Sequence, residues 1–175
     1  MENQGKLVVS THDLFPVIVE SLSTGHQVKF TVSGNSMRPW IVDNRDQVLL
    51  VGTSGKRLKI GDIILFQTNY GKYILHRIYK YDKDGYRTLG DGCLSEDGFI
   101  SSSDIIGKAI KIYRKGKIID CNSLIWRYIF WMWLKLLPIR KPLLNLYHIF
   151  IRLKGKLKKR LIHLCNSQGA NEPTK

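Results

Sequence analysis

Apolar positions recur at helical spacing near the start of the chain and at strand spacing after it. Leu14, Phe15, Ile18 and Leu22 fall on one side of a 3.6-residue period. The pattern predicts a helix from about His12 to Leu22, capped by Thr11 or Ser10, with Pro16 tolerated near its first turn and Ser23-Thr24-Gly25 as its stop. Short apolar runs follow, and they predict strands at about 28–33, 46–51, 63–67, 73–80, 86–90, 106–113 and 117–120. Thr53-Ser54-Gly55-Lys56, Asn69-Tyr70-Gly71, Lys83-Asp84-Gly85 and Arg114-Lys115-Gly116-Lys117 separate them as turns. Asn69-Tyr70-Gly71 and Asp84-Gly85 carry the residues that hairpin turns require. Many short strands without long helices between them describe a mainly β domain, a coiled or closed antiparallel sheet.

The pattern changes at Ser123. Residues 124–137 are apolar on nearly every face and hold three tryptophans, Trp126, Trp131 and Trp133, interrupted by Arg127 and Lys135. The run is too short for a spanning helix, which needs ~20 apolar residues. A second helix is expected from Leu143 to Leu164, with Leu146, Ile149, Phe150, Leu153, Leu157, Leu161 and Leu164 on one stripe and six Lys/Arg between positions 152 and 160 around it. The expected organisation is a β domain at 1–122, amphipathic helices at 123–166 and a polar disordered tail at 167–175.

Charge sharpens this division. The formal net charge of +14 resembles a nucleic-acid signal, yet residues 1–110 hold 13 Lys/Arg against 12 Asp/Glu. Residues 111–160 hold 14 Lys/Arg against Asp120 alone, so the basicity belongs to the tail. Basic residues there alternate with bulky aliphatics and form no nucleic-acid reader motif, which favours an anionic membrane surface over nucleic acid as the partner of residues 123–166. Packing of these helices on the β domain, or on a protein, is the bland alternative. Cys93, Cys121 and Cys165 form neither a disulfide framework nor a metal-binding pattern, and no metal or cofactor is expected. The first residues show no basic segment leading into an apolar run, so no N-terminal signal peptide or anchor is expected.

The candidate chemistry lies in three places. Ser36 stands in Val32-Ser33-Gly34-Asn35-Ser36-Met37-Arg38-Pro39, between a turn-forming Gly-Asn pair and a proline stop. His76 interrupts the apolar strand Tyr73-Ile74-Leu75-His76-Arg77-Ile78. Asp91 and Asp97 follow it, with Glu96 read as solvated. A hydroxyl, an imidazole and carboxylates suit acyl transfer, because a serine hydroxyl is inert unless a base takes its proton and the base needs a group that sets its tautomer. Both aspartates qualify as that group, and Gly90-Asp91-Gly92 also reads as a plain turn. Backbone N–H groups of Ser36 and Asn35 are the candidate oxyanion donors. Met37 is expected to fill core behind the serine, and Asp62 to form a turn. Val32, Trp40, Ile41 and Phe66 are candidates for pocket walls beside Ser36, and Cys93 is read as a bystander.

These segments, with Gly61-Asp62-Ile63-Ile64-x-Phe66 and Ile106-Gly107-Lys108-Ala109, resemble the peptidase core shared by signal peptidase I and the LexA-like serine peptidases. The resemblance runs over roughly residues 11–118. His76 stands where many relatives carry lysine, as in the archaeal and endoplasmic-reticulum signal peptidases, and Asp91 and Asp97 match the two acidic positions of that branch. The resemblance implies that Asp97 is the partner of His76 and that Asp91 braces the loop. The serine box, with one residue between Gly34 and Ser36, follows the repressor-cleaving branch instead. The expected function is a serine endopeptidase that cleaves a leader, signal or precursor peptide, bound in extended form, near a membrane. The alternatives are a cytoplasmic regulatory peptidase and a non-catalytic membrane-docked scaffold. A single short helix ahead of the strands is too little for a helix-turn-helix, so no DNA-binding module is expected.

Overall fold

The computed structural model describes residues 11–53 and 57–169, with side chains for 14–53 and 57–157 of these. It contains two compact units, Met1–Lys135 and Leu136–Lys175. Thr11, one of the two expected caps, is the first residue of the helix, while its side chain, Ser10 and the turn residues 54–56 lie outside the described positions.

In the first unit, helix α1 (Thr11–Ser23) lays Phe15, Ile18 and Leu22 into the core. Its end is a Schellman motif, in which Gly25 takes φ +85°, its N–H reaches Leu22 O at 3.2 Å, and His26 N–H reaches Ser21 O at 3.0 Å. An antiparallel sheet follows, built from β1 (Val28–Thr31), β2 (Gln47–Gly52), β3 (Ile63–Gln67), β4 (Tyr73–Asp82), β5 (Gly85–Leu89), β6 (Phe99–Ser101), β7 (Ile105–Arg114) and β8 (Lys117–Asp120). The strands lie in the order β1-β2-β7-β3-β4-β5-β6, with β8 paired to β7 as a branch. One edge of β7 runs along β2, while the other is divided between β3 and β8. Register shifts at Leu49/Leu50, Leu65/Phe66 and Ile78/Lys80 curl the sheet. β1 and β6 remain its two ends among the described residues, so the sheet is coiled rather than closed.

The curl gives β3 two buried faces. Ile63 and Leu65 join the larger core with α1, Val48, Leu50, Ala109 and Ile112, while Ile64 and Phe66 join a smaller one with Leu58, Ile78, Ile100 and Ile105. Strand β6, absent from the sequence reading, has three residues, and one of them, Phe99, is exposed. The turn before β5 also differs from expectation. Asp82 pairs with Gly85, so the turn residues are Lys83 and Asp84, and Gly85 lies in the ladder. A Cβ on Gly85 would sit 2.3 Å from Ile100 O, so glycine is needed there for the approach of β6. At the β7–β8 hairpin, Lys115 (φ +45°) and Gly116 (φ +77°) are both left-handed, as a type I′ turn requires.

The expected boundary at residue 122 moves to 135. Helix α2 (Leu124–Lys135) belongs to the first unit because its Phe130 and Leu134 are buried and Phe130 joins the main core. Trp40 meets Trp126, Phe130 and Trp133 edge-on at centroid distances of 6.2, 5.9 and 5.8 Å. Only the outward side of α2 stays bare, with Leu124, Ile125, Tyr128, Trp131 and Met132 exposed. "Mainly β" therefore describes the first unit, whereas the second is helical: a 3-10 turn (Leu137–Ile139) and α3 (Arg140–Gly169). Along α3, Leu146, Ile149, Phe150, Leu153 and Leu157 are exposed. The helix runs to Gly169, past the point where disorder was expected, and positions 170–175 lie outside the described residues.

Candidate functional site

The serine loop is held by hydrogen bonds from its own neighbourhood. After β1 the chain leaves the ladder, with Val32 N–H still bonded to Asp46 O at 3.0 Å. Gly34 turns it with φ +103°, a conformation that other residues enter only with strain. The Gly34 N–H donates to Asp43 Oδ1 at 2.9 Å, and Asn44 Nδ2 donates to the same oxygen at 3.0 Å. The Gly34 amide, helped by Asn44, holds the Asp43 carboxyl below its usual range. Ser36 is exposed on the following turn and Met37 is buried beneath it. The Ser36 carbonyl accepts from Gly92 N–H at 2.7 Å. Asn35 and Ser36 N–H groups donate to no protein acceptor among the described residues.

Asp46, at the far end of that loop, is fully buried. Burial opposes its ionisation, but hydrogen bonds from Arg45, the Val42 amide and Arg114 outweigh it and hold the carboxyl below its usual range. Arg114 also donates to Trp40 O, which ties the loop to β7.

His76 sits in the middle of β4, opposite Ile64 on β3, and is buried. Its Nδ1 lies 2.6 Å from Asp97 Oδ2. That oxygen also accepts Thr88 Oγ1 at 2.8 Å, and Asp97 N–H donates to Thr88 O at 3.0 Å, so Asp97 is fastened to β5. An ionised carboxylate can only accept, so in the neutral imidazole this contact places the proton on Nδ1 and the lone pair on Nε2. Nε2 is enclosed and has no hydrogen-bond partner. Its surroundings are marked by Gly90, where an added Cβ would lie 2.6 Å from Ser36 O, 2.8 Å from Cys93 Sγ and 2.8 Å from His76 Nε2. The serine loop and the imidazole therefore converge on one bare Cα. No hydrogen bond joins Ser36 Oγ to Nε2 in this arrangement.

Asp91 has a different task. It is fully buried and receives Arg77 Nε at 2.9 Å on Oδ1 and Nη2 at 2.7 Å on Oδ2. Arg77 Nη1 donates to Gly61 O at 2.7 Å, and the guanidinium carbon lies 3.9 Å from the centre of the Phe130 ring. Removing one member of such a pair strands the other charge, at a cost of ~3–5 kcal/mol. Asp91 thus fixes the loop between Gly90 and Gly92, while Asp97 faces the imidazole.

A cleft of about 260 Å³ opens beside Ser36 and His76, walled by Val32, Ser33, Gly34, Met37, Tyr73, Ile74 and Leu75. That volume suits one or two side chains rather than a whole small-molecule ligand. Of the four expected wall residues only Val32 lines it. Trp40 lies under α2, and Ile41 and Phe66 are buried in the two cores. A larger depression of about 730 Å³ beside α1 and the β3–β4 turn includes neither Ser36 nor His76.

Other residues reach the site unannounced by the sequence. Thr88 and Arg77 are unremarkable strand residues until the fold brings them to Asp97 and Asp91. Cys93, read as a bystander, stands 3.9 Å from Ser36 O. Glu96 pairs with Arg87 at 2.7 Å on the surface. Asp62 accepts Lys59 N–H at 2.8 Å in its turn and also faces Lys108 at 3.0 Å and Arg127 at 3.4 Å. Lys72 and Lys80, the lysines nearest His76 in sequence, are exposed. Among the described residues, no group of three or more His, Cys, Asp or Glu side chains could hold a metal ion. Comparisons with protein-family models and with curated proteins both gave no match.

Proposed function

We propose that the chain is a serine endopeptidase of the signal peptidase I and LexA-like kind, acting on an extended peptide close to a membrane. The observation that carries this reading is His76, buried with Nδ1 on Asp97 and with an unpartnered Nε2 beside the Ser36 loop. In the proposed reaction, Ser36 Oγ attacks the scissile carbonyl carbon while its proton passes to His76 Nε2. Asp97 stabilises the imidazolium, and the carbonyl oxygen, now an anion, takes the Asn35 and Ser36 N–H groups. Collapse of this intermediate breaks the C–N bond, with the His76 proton going to the leaving amine. Water then attacks the acyl-serine with His76 again as base, releasing the second product and restoring the Ser36 hydroxyl.

Two features favour a peptide near a membrane. The small, largely apolar cleft matches a side chain beside a scissile bond. The exposed apolar side of α2 and, separately, the exposed apolar residues of basic α3 each suit a helix that rests in a bilayer interface. No helix among the described residues is long and apolar enough to cross a membrane.

Labelling of the full-length protein with a fluorophosphonate tests the chemistry. Wild type is expected to label at Ser36, Ser36→Ala not at all, and Asp97→Asn about 10²–10⁴-fold more slowly, the usual worth of a positioned base. Wild-type protein that takes no label, or Ser36→Ala that still cleaves peptide, would overturn the proposal.

A further inference from the structure

We infer that Phe130 of helix α2 is a positioning residue for the Ser36–His76 site and acts on it through Arg77 and Asp91. The inference rests on the peptidase reading for its consequence, but its geometry stands alone. The Phe130 ring is only 2% exposed and covers the face of the Arg77 guanidinium at 3.9 Å. That guanidinium has its edges committed to Asp91 and Gly61 O, and the ring covers one of its two faces. Arg77 is wholly buried, where a cation held against an aromatic face has no water competing for it.

The next step runs along the backbone. Asp91 lies between two glycines, and both touch the site. Gly90 packs where an added methyl would strike Ser36 O and His76 Nε2. Gly92 donates its N–H to Ser36 O at 2.7 Å, and its own Cα is hemmed in by the carbonyls of Asn35, Ser36 and Arg38. A shift of Arg77 therefore moves Asp91, and Asp91 moves both glycines against the serine loop. Arg77 also follows His76 directly on β4, with its side chain on the opposite face. One guanidinium thus steadies both the strand that carries the base and the loop that packs on it.

Phe130→Leu and Phe130→Tyr in the full-length chain test this. Leucine keeps most of the apolar volume and removes the ring, while tyrosine restores the ring. Amide hydrogen exchange is read at Gly92, with the Val48 and Leu50 amides in β2 as reference. Phe130→Leu is expected to speed exchange at Gly92 at least tenfold relative to β2 and to slow fluorophosphonate labelling of Ser36 about tenfold. Phe130→Tyr is expected to return both to within about threefold of wild type. If Gly92 changes no more than β2, whether all amides are unchanged or all exchange faster together, the positioning role is wrong. Should Phe130→Leu fail to fold, Phe130→Met carries the same comparison. If wild type takes no label, the peptidase reading falls, and the Gly92 exchange still decides the role of Phe130.

Discussion

Gly90→Ala isolates the point where the two halves of the site meet. The backbone at Gly90 is not left-handed, so alanine brings no torsional strain, only a methyl group. That methyl would lie 2.6 Å from Ser36 O and 2.8 Å from His76 Nε2, whereas ordinary contact begins near 3.4 Å. The differences, 3.4 − 2.6 and 3.4 − 2.8, demand movements of about 0.8 and 0.6 Å. Asp91 next door is clamped by Arg77, and Leu89 on the other side is paired with Arg77 in the ladder, so the exposed serine loop must yield. Moving the Ser36 carbonyl that far also strains its hydrogen bond from Gly92. Misplacement of a reacting group by ~1 Å costs on the order of 10²-fold, and overpacking costs ~1–3 kcal/mol. Fluorophosphonate labelling of Ser36 is expected to slow by roughly 10–100-fold, with the thermal midpoint down by roughly 2–10 °C. Gly71→Ala serves as control: at φ +73° in the β3–β4 turn, with nothing within 4 Å of its added Cβ, it meets strain but no collision. It should lose stability and keep its labelling rate. If Gly90→Ala labels within threefold of wild type, or no more slowly than Gly71→Ala, the convergence of Ser36 and His76 on Gly90 does not control the chemistry.

Three other outcomes follow from burial and charge. Because the Asp46 carboxyl is held below its usual range, its contribution to stability is complete above the unfolded value of ~3.9 and is lost as pH falls through the lower folded value. Asp46→Asn should cost about 2–3 kcal/mol at neutral pH in denaturant melts, with the gap to wild type narrowing only below about pH 4; a gap that does not change down to pH 2 would refute this. A chain cut after Lys135 should remain soluble and label at Ser36, whereas a cut after Asn122, which removes Phe130 from the core, should precipitate or unfold at a midpoint at least 10 °C lower. The full-length chain should float with anionic liposomes and the 135-residue form should float less; equal flotation would exclude α3 as the main contact.

How much of this was readable in the chain depended on whether a signal was local. Seven of the eight strands carry their own apolar runs, and Gly116 and Gly25 mark turns that neighbours cannot change. β6 has only three residues, and its pairing with Gly85 is visible only once β5 is in place. Ser36 and His76 stood out because each is a polar interruption in an apolar or turn-rich context. Thr88 and Arg77 did not, since nothing next to them hints at the carboxylates they hold from 9 and 14 residues away. Trp40 was misplaced for a related reason. Its position after the serine box suggested a pocket wall, but its partners are Trp126, Phe130 and Trp133, some 90 residues later in the chain. The run 124–137, apolar on nearly every face, reads as a segment apart from the β domain, although one side of that helix packs into the core.

Strand β7 carries a consequence for the order of events during synthesis. The serine loop grows out of β1 and β2, and the histidine sits on β4 among β3, β5 and β6, yet among the described residues these two groups share no ladder except through β7. A ribosome that has made everything up to Asp104 has already produced Ser36, His76 and Asp97, with no strand to join them. The closing pairs, such as Val48 with Ile112, span more than 60 residues and carry the high loop-closure entropy of late, slow contacts. The ladder that joins the strands flanking Ser36 to the strand carrying His76 is therefore completed only by β7, once most of the first unit has been translated.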